Sequence, residues 1–361
     1  RKCLIWASFI VGTLIAGYYL KQVYHDIPEF TDLTDILPGK REYVRRFLSG
    51  EIVYRNIPFP GYELAPTYLP TRWLPFVFAH FLHIDYRWIS FFGTVLGVFF
   101  WVKTAVVNPN FSAIEISLKT LIPFFIIYVL AVNDPASLGL AVELLMVGYY
   151  LLLAKNLIPR EPFTVAFCLL LCLLSRYSLV VWCPVLAFVL FFEKGWKYVT
   201  AVSFWVILGI FCLYLWPFCR HDMGQNFIDA YNYYIWGCFQ TWMPAAWQAP
   251  GEIPFNHARG IGFSFFFYKF ASGSLQEKYD FMLRFGTYAS LFVTGASILF
   301  YWLKIRGKNR AVVEVFLLTS LKIFMVVFTG FIVLPFSYLF AIPLFLTVPL
   351  LFRMPLRQIW G

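Results

Sequence analysis

Residues 24–72 read YHDIPEFTDLTDILPGKREYVRRFLSGEIVYRNIPFPGYELAPTYLPTR, a polar interval set between long apolar runs. It holds Asp26, Glu29, Asp32, Asp35, Glu42, Glu51 and Glu63, seven of the 19 acids in a chain of only 13% charged residues. On its N-terminal side lies the unbroken apolar run Cys3 to Leu20, preceded by Arg1 and Lys2. On the other side apolar runs recur to the end of the 361 residues, giving 60% hydrophobic and 21% aromatic residues and a mean hydropathy of +0.70. A backbone in lipid must satisfy its own hydrogen bonds, so a spanning segment is either a helix or part of a closed barrel. Barrel strands alternate over about ten residues, whereas these runs are continuous and rich in Leu and Phe. The chain therefore reads as an all-α polytopic transmembrane helical bundle, with 1–361 a single integral membrane domain.

Working outward, residues 1–20 form a first transmembrane helix starting in the cytoplasm, with no small-residue cleavage site after it. Residues 21–72 become an external acidic loop. Within it Tyr43, Val44, Phe47 and Leu48 share one helical face and Lys40, Arg41, Arg45 and Arg46 the others, with Gly50 closing the pattern. Such a basic amphipathic helix is expected in the lipid interface, the alternative being a helix packed on the protein. Pro58, Pro60, Pro66 and Pro70 stiffen the return path, as suits a functional lid.

Residues 73–217 carry core transmembrane helices, 218–280 a second external loop, and 281–361 C-terminal transmembrane helices. From Trp73 to Val102 the apolar pattern is interrupted by His80, His83, Asp85 and Arg87. It fits two short crossings with a turn at Asp85, or one interfacial segment followed by one crossing. The dense basic turn Lys304, Arg306, Lys308 and Arg310 belongs in the cytoplasm. Counting crossings back from it, with 163–192 read as a two-helix hairpin, places Asn133, Asp134 and Pro135 outside. Counting forward with two crossings before Lys103 gives the opposite parity, so hydropathy leaves 73–119 open and the total at about ten or eleven crossings.

The net charge of +10 sits mostly in short breaks between apolar runs, which suits membrane topology and contact with lipids and does not call for nucleic acid. Most of the seven cysteines lie inside apolar runs without metal-ligand spacing and read as small core residues. There is no glycine-rich phosphate cradle and no dinucleotide fingerprint. Arg176 breaks the apolar run 163–192, and an unpaired guanidinium there is costly and usually functional. Glu143 and Lys322 are the other charges within apolar runs, and the simplest expectation pairs them or lets them snorkel.

Several features together resemble the GT-C superfamily of polytopic glycosyltransferases, in particular its bacterial polyprenyl-phosphate-mannose-dependent branch. They are the N-terminal helix with its acidic external loop, the D-x7-Y-x6-G-x3-Y pattern at Asp35, Tyr43, Gly50 and Tyr54, the P-T-Y-L-P lead-in at Pro66–Pro70, and Arg176 ahead of the W-x-P at Trp182–Pro184. The likeness covers roughly the first half of the chain. It implies an enzyme of the bacterial inner membrane whose active site faces the periplasm, moving a sugar from a lipid-linked donor to a glycan, glycolipid or protein acceptor with inversion.

On that resemblance the general base is Asp35, followed by Asp32 and Asp26. The candidates for the donor phosphate are Arg176, Arg259 and His257, and those for substrate contact are Glu143, Tyr68 and Trp242. Each acid also has a plain structural use: Asp32 or Asp35 as a helix cap, Asp26 as a helix exit into water. The aromatics of 218–280, among them Trp236 and Trp247, suit a carbohydrate cleft or a lipid-facing belt. His221 and Asp222 lack companion ligands, so no protein-built metal centre is expected, although members of the superfamily use a divalent cation held by acids. Two other classes compete: a transporter or flippase of a lipid-linked or anionic substrate, and a non-catalytic subunit of an envelope complex that keeps the fold.

Overall fold

The computed structural model describes residues 1–29, 34–59, 62–109, 111–219, 225–244, 248–249, 252–254, 257, 261–333 and 336–353. In chain order the helices are α1 (Lys2–Asp26), α2 (Ile36–Leu48), α3 (Phe76–Leu82), α4 (Tyr86–Val107), α5 (Ala113–Asn133), α6 (Pro135–Gly139), α7 (Glu143–Lys155) and α8 (Pro162–Leu173). They continue with α9 (Cys183–Lys194), α10 (Trp196–Ile210), α11 (Gln225–Gln240), α12 (Ser264–Phe270), α13 (Leu275–Phe300), α14 (Arg310–Gly330), α15 (Ala341–Phe345) and α16 (Thr347–Arg353). Among the described residues the only strands are β1 (Ile57–Phe59) and β2 (Tyr62–Leu64), an antiparallel hairpin pairing Ile57 with Leu64.

Among the described residues six helical spans are long and apolar enough to cross a membrane: α1, α4, α5, α10 with its π-type continuation to Cys219, α13 with its continuation to Ile305, and α14. The protein is an all-helical integral membrane protein. At 1.5 Å per residue these spans cover about 30 Å or more, the thickness of a bilayer core. By contrast α7 has 13 residues and α8 and α9 have 12 each, about 18–20 Å, so none of these three reaches across alone. A tally of ten or eleven crossings therefore depends on how these short helices are continued.

Between Trp73 and Val102 the chain forms one short helix and one long one. His83 takes a left-handed conformation at φ 52° and ends α3, and Asp85 caps α4 by accepting from the Arg87 amide. The described chain between Trp73 and Lys103 thus holds one helix long enough to cross, α4, as in the alternative of one short segment followed by one crossing.

Packing fixes which helix ends lie together. α1 runs antiparallel to α4, with Trp6 against Phe99 and Tyr24 against Trp88. It runs parallel to α5, where Phe9 meets Phe124 and Tyr19 meets Tyr128. α4 in turn is parallel to α7: Gly93 lies on Leu145 and Gly97 on Leu151, and the Trp101 indole donates to the Leu151 carbonyl at 3.0 Å. Small residues let these backbones touch, as membrane helices require. α8 returns antiparallel, its Cys168 beside Asn156. At the far end of the bundle Arg306 covers the Phe192 ring, Arg310 donates to the Ile158 carbonyl, and Arg353 pairs with Glu314. Lys2, Lys103, Lys155, Arg306, Arg310 and Arg353 thus gather at one end. Asp26, Asp85, Asn133 and Glu143 lie toward the other.

α2 forms where its apolar spacing predicts, and Gly50 at φ 68° closes it while the Glu51 amide returns to the Arg46 carbonyl at 2.9 Å. It does not lie loose in the interface. Tyr43 and Val44 are buried, as are two of the four basic residues, Lys40 and Arg46. Arg46 donates to the carbonyls of Val53, Arg55 and Asn56 and to Glu42, which ties α2 to the chain that follows it.

Candidate functional site

The short α7 begins with Glu143, and its register against α4 sets the depth of that residue. Thr94 donates to the Leu144 carbonyl, Gly93 meets Leu145 and Gly148 packs on the Gly93 carbonyl, so Glu143 lies level with the first two turns of α4, within about 10 Å of its start. Three segments converge on it. Leu173 ends α8, and Arg176 follows in extended conformation before the 3-10 turn Tyr177–Val181. Arg72 ends the 3-10 turn Pro70–Arg72, docked on α7 and α8 by Thr71, whose amide, hydroxyl and carbonyl bond to Leu174, Leu171 and Tyr149. Arg72 donates to one Glu143 oxygen at 3.1 Å and Arg176 to the other. The Glu143 side chain is 2% exposed. One buried carboxylate so balances two guanidinium groups, and removal of any member leaves uncompensated charge in a low dielectric.

Above this triad lies Tyr68, also buried, with the Arg72 guanidinium 4.7 Å from its ring centre and the Lys40 ammonium 4.0 Å from it. Both contacts use the negative face of the ring. Lys40 is 0% exposed. Burial, with help from the Arg72 guanidinium, holds its ammonium well below the usual lysine range, while Glu143 and Asp35 pull the other way. Burial and the Asp35 charge likewise push the Tyr68 hydroxyl up. Asp35 is half-buried at the N-cap of α2, and its carboxylate does not cap that helix. It is close enough to act electrostatically on Lys40 and Tyr68. The cluster therefore gathers three cations, Lys40, Arg72 and Arg176, against the acids Glu143 and Asp35.

Beside it is a largely apolar cavity of about 110 Å³, whose walls include Tyr24, Ser90, Leu130, Leu138, Glu143 and Tyr338. The Ser90 hydroxyl is buried with no hydrogen-bond partner among the described residues. Glu143 is common to the cavity and the charged cluster.

Of the residues expected from the sequence, Asp35, Tyr68, Glu143 and Arg176 come together. Asp26 stands apart, 75% exposed in its side chain and 3.1 Å from His25, in keeping with a helix exit into water. His257 and Trp242 meet each other in a second apolar cluster, their rings 4.8 Å apart, and the Trp242 indole donates to the Val333 carbonyl at 2.9 Å. Burial pushes the His257 imidazole down to about 4, so it is neutral near pH 7 and a poor partner for phosphate. Asp32, Arg220, His221, Asp222, Trp247 and Arg259 lie outside the described residues.

The expected Glu143–Lys322 pair does not form, because two arginines take Glu143 and Lys322 donates to Thr347 at 2.7 Å. Two members of the cluster are not singled out by sequence reasoning. Lys40 falls off the apolar face of α2, where solvent is the natural expectation, and Arg72 closes the polar interval without any motif of its own. A cation directly after the P-T-Y-L-P lead-in is the available signal. Among the described residues no three His, Cys, Asp or Glu side chains gather as a metal site would require, so a divalent cation finds no ready set of ligands there. Compared with protein-family models, with curated proteins and with solved structures, the chain matches none.

Proposed function

We propose that the protein is a membrane glycosyltransferase of GT-C type, taking a sugar from a polyprenyl-phosphate donor and passing it with inversion to an acceptor hydroxyl on the extracytoplasmic side. What carries this is the convergence of Arg72 and Arg176 on a single buried acid, with Lys40 packed above them on Tyr68, recessed beneath the helix ends and next to an apolar cavity. A donor whose phosphate joins a sugar to a lipid tail needs such surroundings: cations for the leaving phosphate and an apolar path for the chain. The opposite end of the bundle carries the basic turns, and by the positive-inside rule that arrangement supports an extracytoplasmic position for the cluster.

In this scheme Asp35 accepts the proton of the acceptor hydroxyl as its oxygen bonds to the anomeric carbon, and the bond from that carbon to the phosphate oxygen breaks on the opposite face. Arg176 and Arg72 meet the charge growing on the departing phosphate. Glu143 is a poor base because guanidinium donors already engage both of its oxygens.

The test is transfer of radiolabelled sugar from polyprenyl-phosphate sugars by membranes holding equal folded amounts of wild type, Asp35→Asn and Arg176→Ala, with native lipid extract as acceptor. Asp35→Asn is expected to lower the rate about 10²- to 10⁴-fold, the usual worth of a general base. Full activity in Asp35→Asn with loss in Asp32→Asn would move the base, and full activity in both acid variants and in Arg176→Ala would sink the proposed chemistry.

A further inference from the structure

Lys40 is unusual in its setting. Its neighbours Arg41 and Arg45 stand exposed on the same helix, as long basic side chains beside a membrane normally do. Lys40 turns inward and is 0% exposed. Among the described residues its only hydrogen bond is a long one, 3.3 Å, to the Ile36 carbonyl of its own helix. An ammonium has three donors, so most of its bonding capacity is unused in a place shut off from water. Gly39 brings α2 close: a Cβ there would sit 3.2 Å from a Leu64 methyl carbon and 3.7 Å from the Tyr68 ring. The Arg46 anchor then fixes which way Lys40 points. Below it, Arg176 has a buried Nε with no acceptor among the described residues. Two cations from different segments thus hold spare donors in one cluster, where the acids are fewer than the cations.

We propose that Lys40 is a further ligand of the donor phosphate, reaching it from α2 while Arg72 and Arg176 reach it from below, so that the external segment forms part of the donor site. This rests on the transfer reaction proposed above and names a specificity residue for it. An anionic phosphate ester supplies both the missing negative charge and the missing acceptors. The Tyr68 face holds the ammonium in place when the anion is absent.

The experiment measures binding to the full chain in lipid nanodiscs, with farnesyl phosphate as probe and farnesol, inorganic phosphate and disc phosphatidylglycerol as comparison arms. Lys40→Met is expected to weaken farnesyl phosphate about 10- to 100-fold, the worth of a charged hydrogen bond, and Lys40→Arg to recover most of it. Farnesol should bind equally to every variant, and a loss of farnesol binding in Lys40→Met would mark a structural fault and bring Lys40→Gln in its place.

Wild-type affinity for farnesyl phosphate in both Lys40→Met and Lys40→Gln, with loss in Arg176→Ala, would overturn the role of Lys40 and leave the transfer reaction standing. Equal competition by phosphatidylglycerol would overturn it too, making the cluster a general phospholipid site. If no phosphate form bound while sugar transfer persisted, only the Lys40 proposal would fall. Absence of both binding and transfer would remove the two together.

Discussion

Glu143 holds the cluster together, and its replacement is the most informative single change for stability. Glu143→Gln keeps the shape and removes the charge that Arg72 and Arg176 share. Breaking a buried ion pair by removing one partner costs about 3–5 kcal/mol, so the variant should show a large fall in thermal midpoint and in folded yield from detergent. A midpoint equal to wild type would mean that water reaches the arginines. A second residue reports on pH. Glu29 accepts from the Tyr86 amide at 3.0 Å, and burial raises its carboxyl from 4.5 to about 7. A raised acid favours the protonated folded state, so the stability it adds is complete below pH 4.5 and disappears as pH rises through about 7. Unfolding midpoints of the wild type should fall across that window by more than those of Glu29→Gln, and parallel curves would contradict the assignment. Charges embedded in apolar sequence give away Arg176 and Glu143 in advance, because such charges are expensive. Their partners are hidden: Arg72 is 71 positions from Glu143 and Arg176 is 33, and no local pattern connects residues so far apart.

The elements repeat that division. Long apolar runs declare α1, α5 and α14, since period and length suffice when a helix faces lipid. For 73–107 the sequence shows a break near Asp85 but does not choose between two crossings and one, because the choice turns on a left-handed His83 and an Asp85 cap more than on hydropathy. The burial of Lys40 and Arg46 is hidden for a related reason. A helical wheel shows which residues share a face but not which face meets protein. The interface between α4 and α7 offers a test at this scale. A Cβ on Gly148 would lie 2.4 Å from the Gly93 carbonyl oxygen, a backbone atom that cannot step aside. Gly148→Ala should force the helices apart, at about 1–3 kcal/mol for overpacking, and lower transfer by shifting Glu143. Gly295, where an added Cβ would meet nothing within 4 Å, is the control: Gly295→Ala should leave both stability and transfer near wild type. Equal effects of the two substitutions would show that helix propensity, not the close contact, decides.

At the scale of the whole molecule the two ends differ in charge, and that difference predicts sidedness. On a cysteine-free background, Gln276→Cys at the start of α13 should react with a membrane-impermeant maleimide in intact cells. Lys308→Cys should react only after permeabilisation. The reverse pattern would place the cluster in the cytoplasm and exclude an extracytoplasmic reaction. The parallel packing of α1 on α5 carries a further consequence, for the order in which the chain is made. Gly12 of α1 fits against the Phe124 ring, about one hundred residues later. At roughly 5–20 residues per second, α1 waits about 5–20 s in the bilayer before that partner emerges from the ribosome. During that interval the seam of α1 faces lipid or the insertion machinery, so its packing is completed only once α5 has been made.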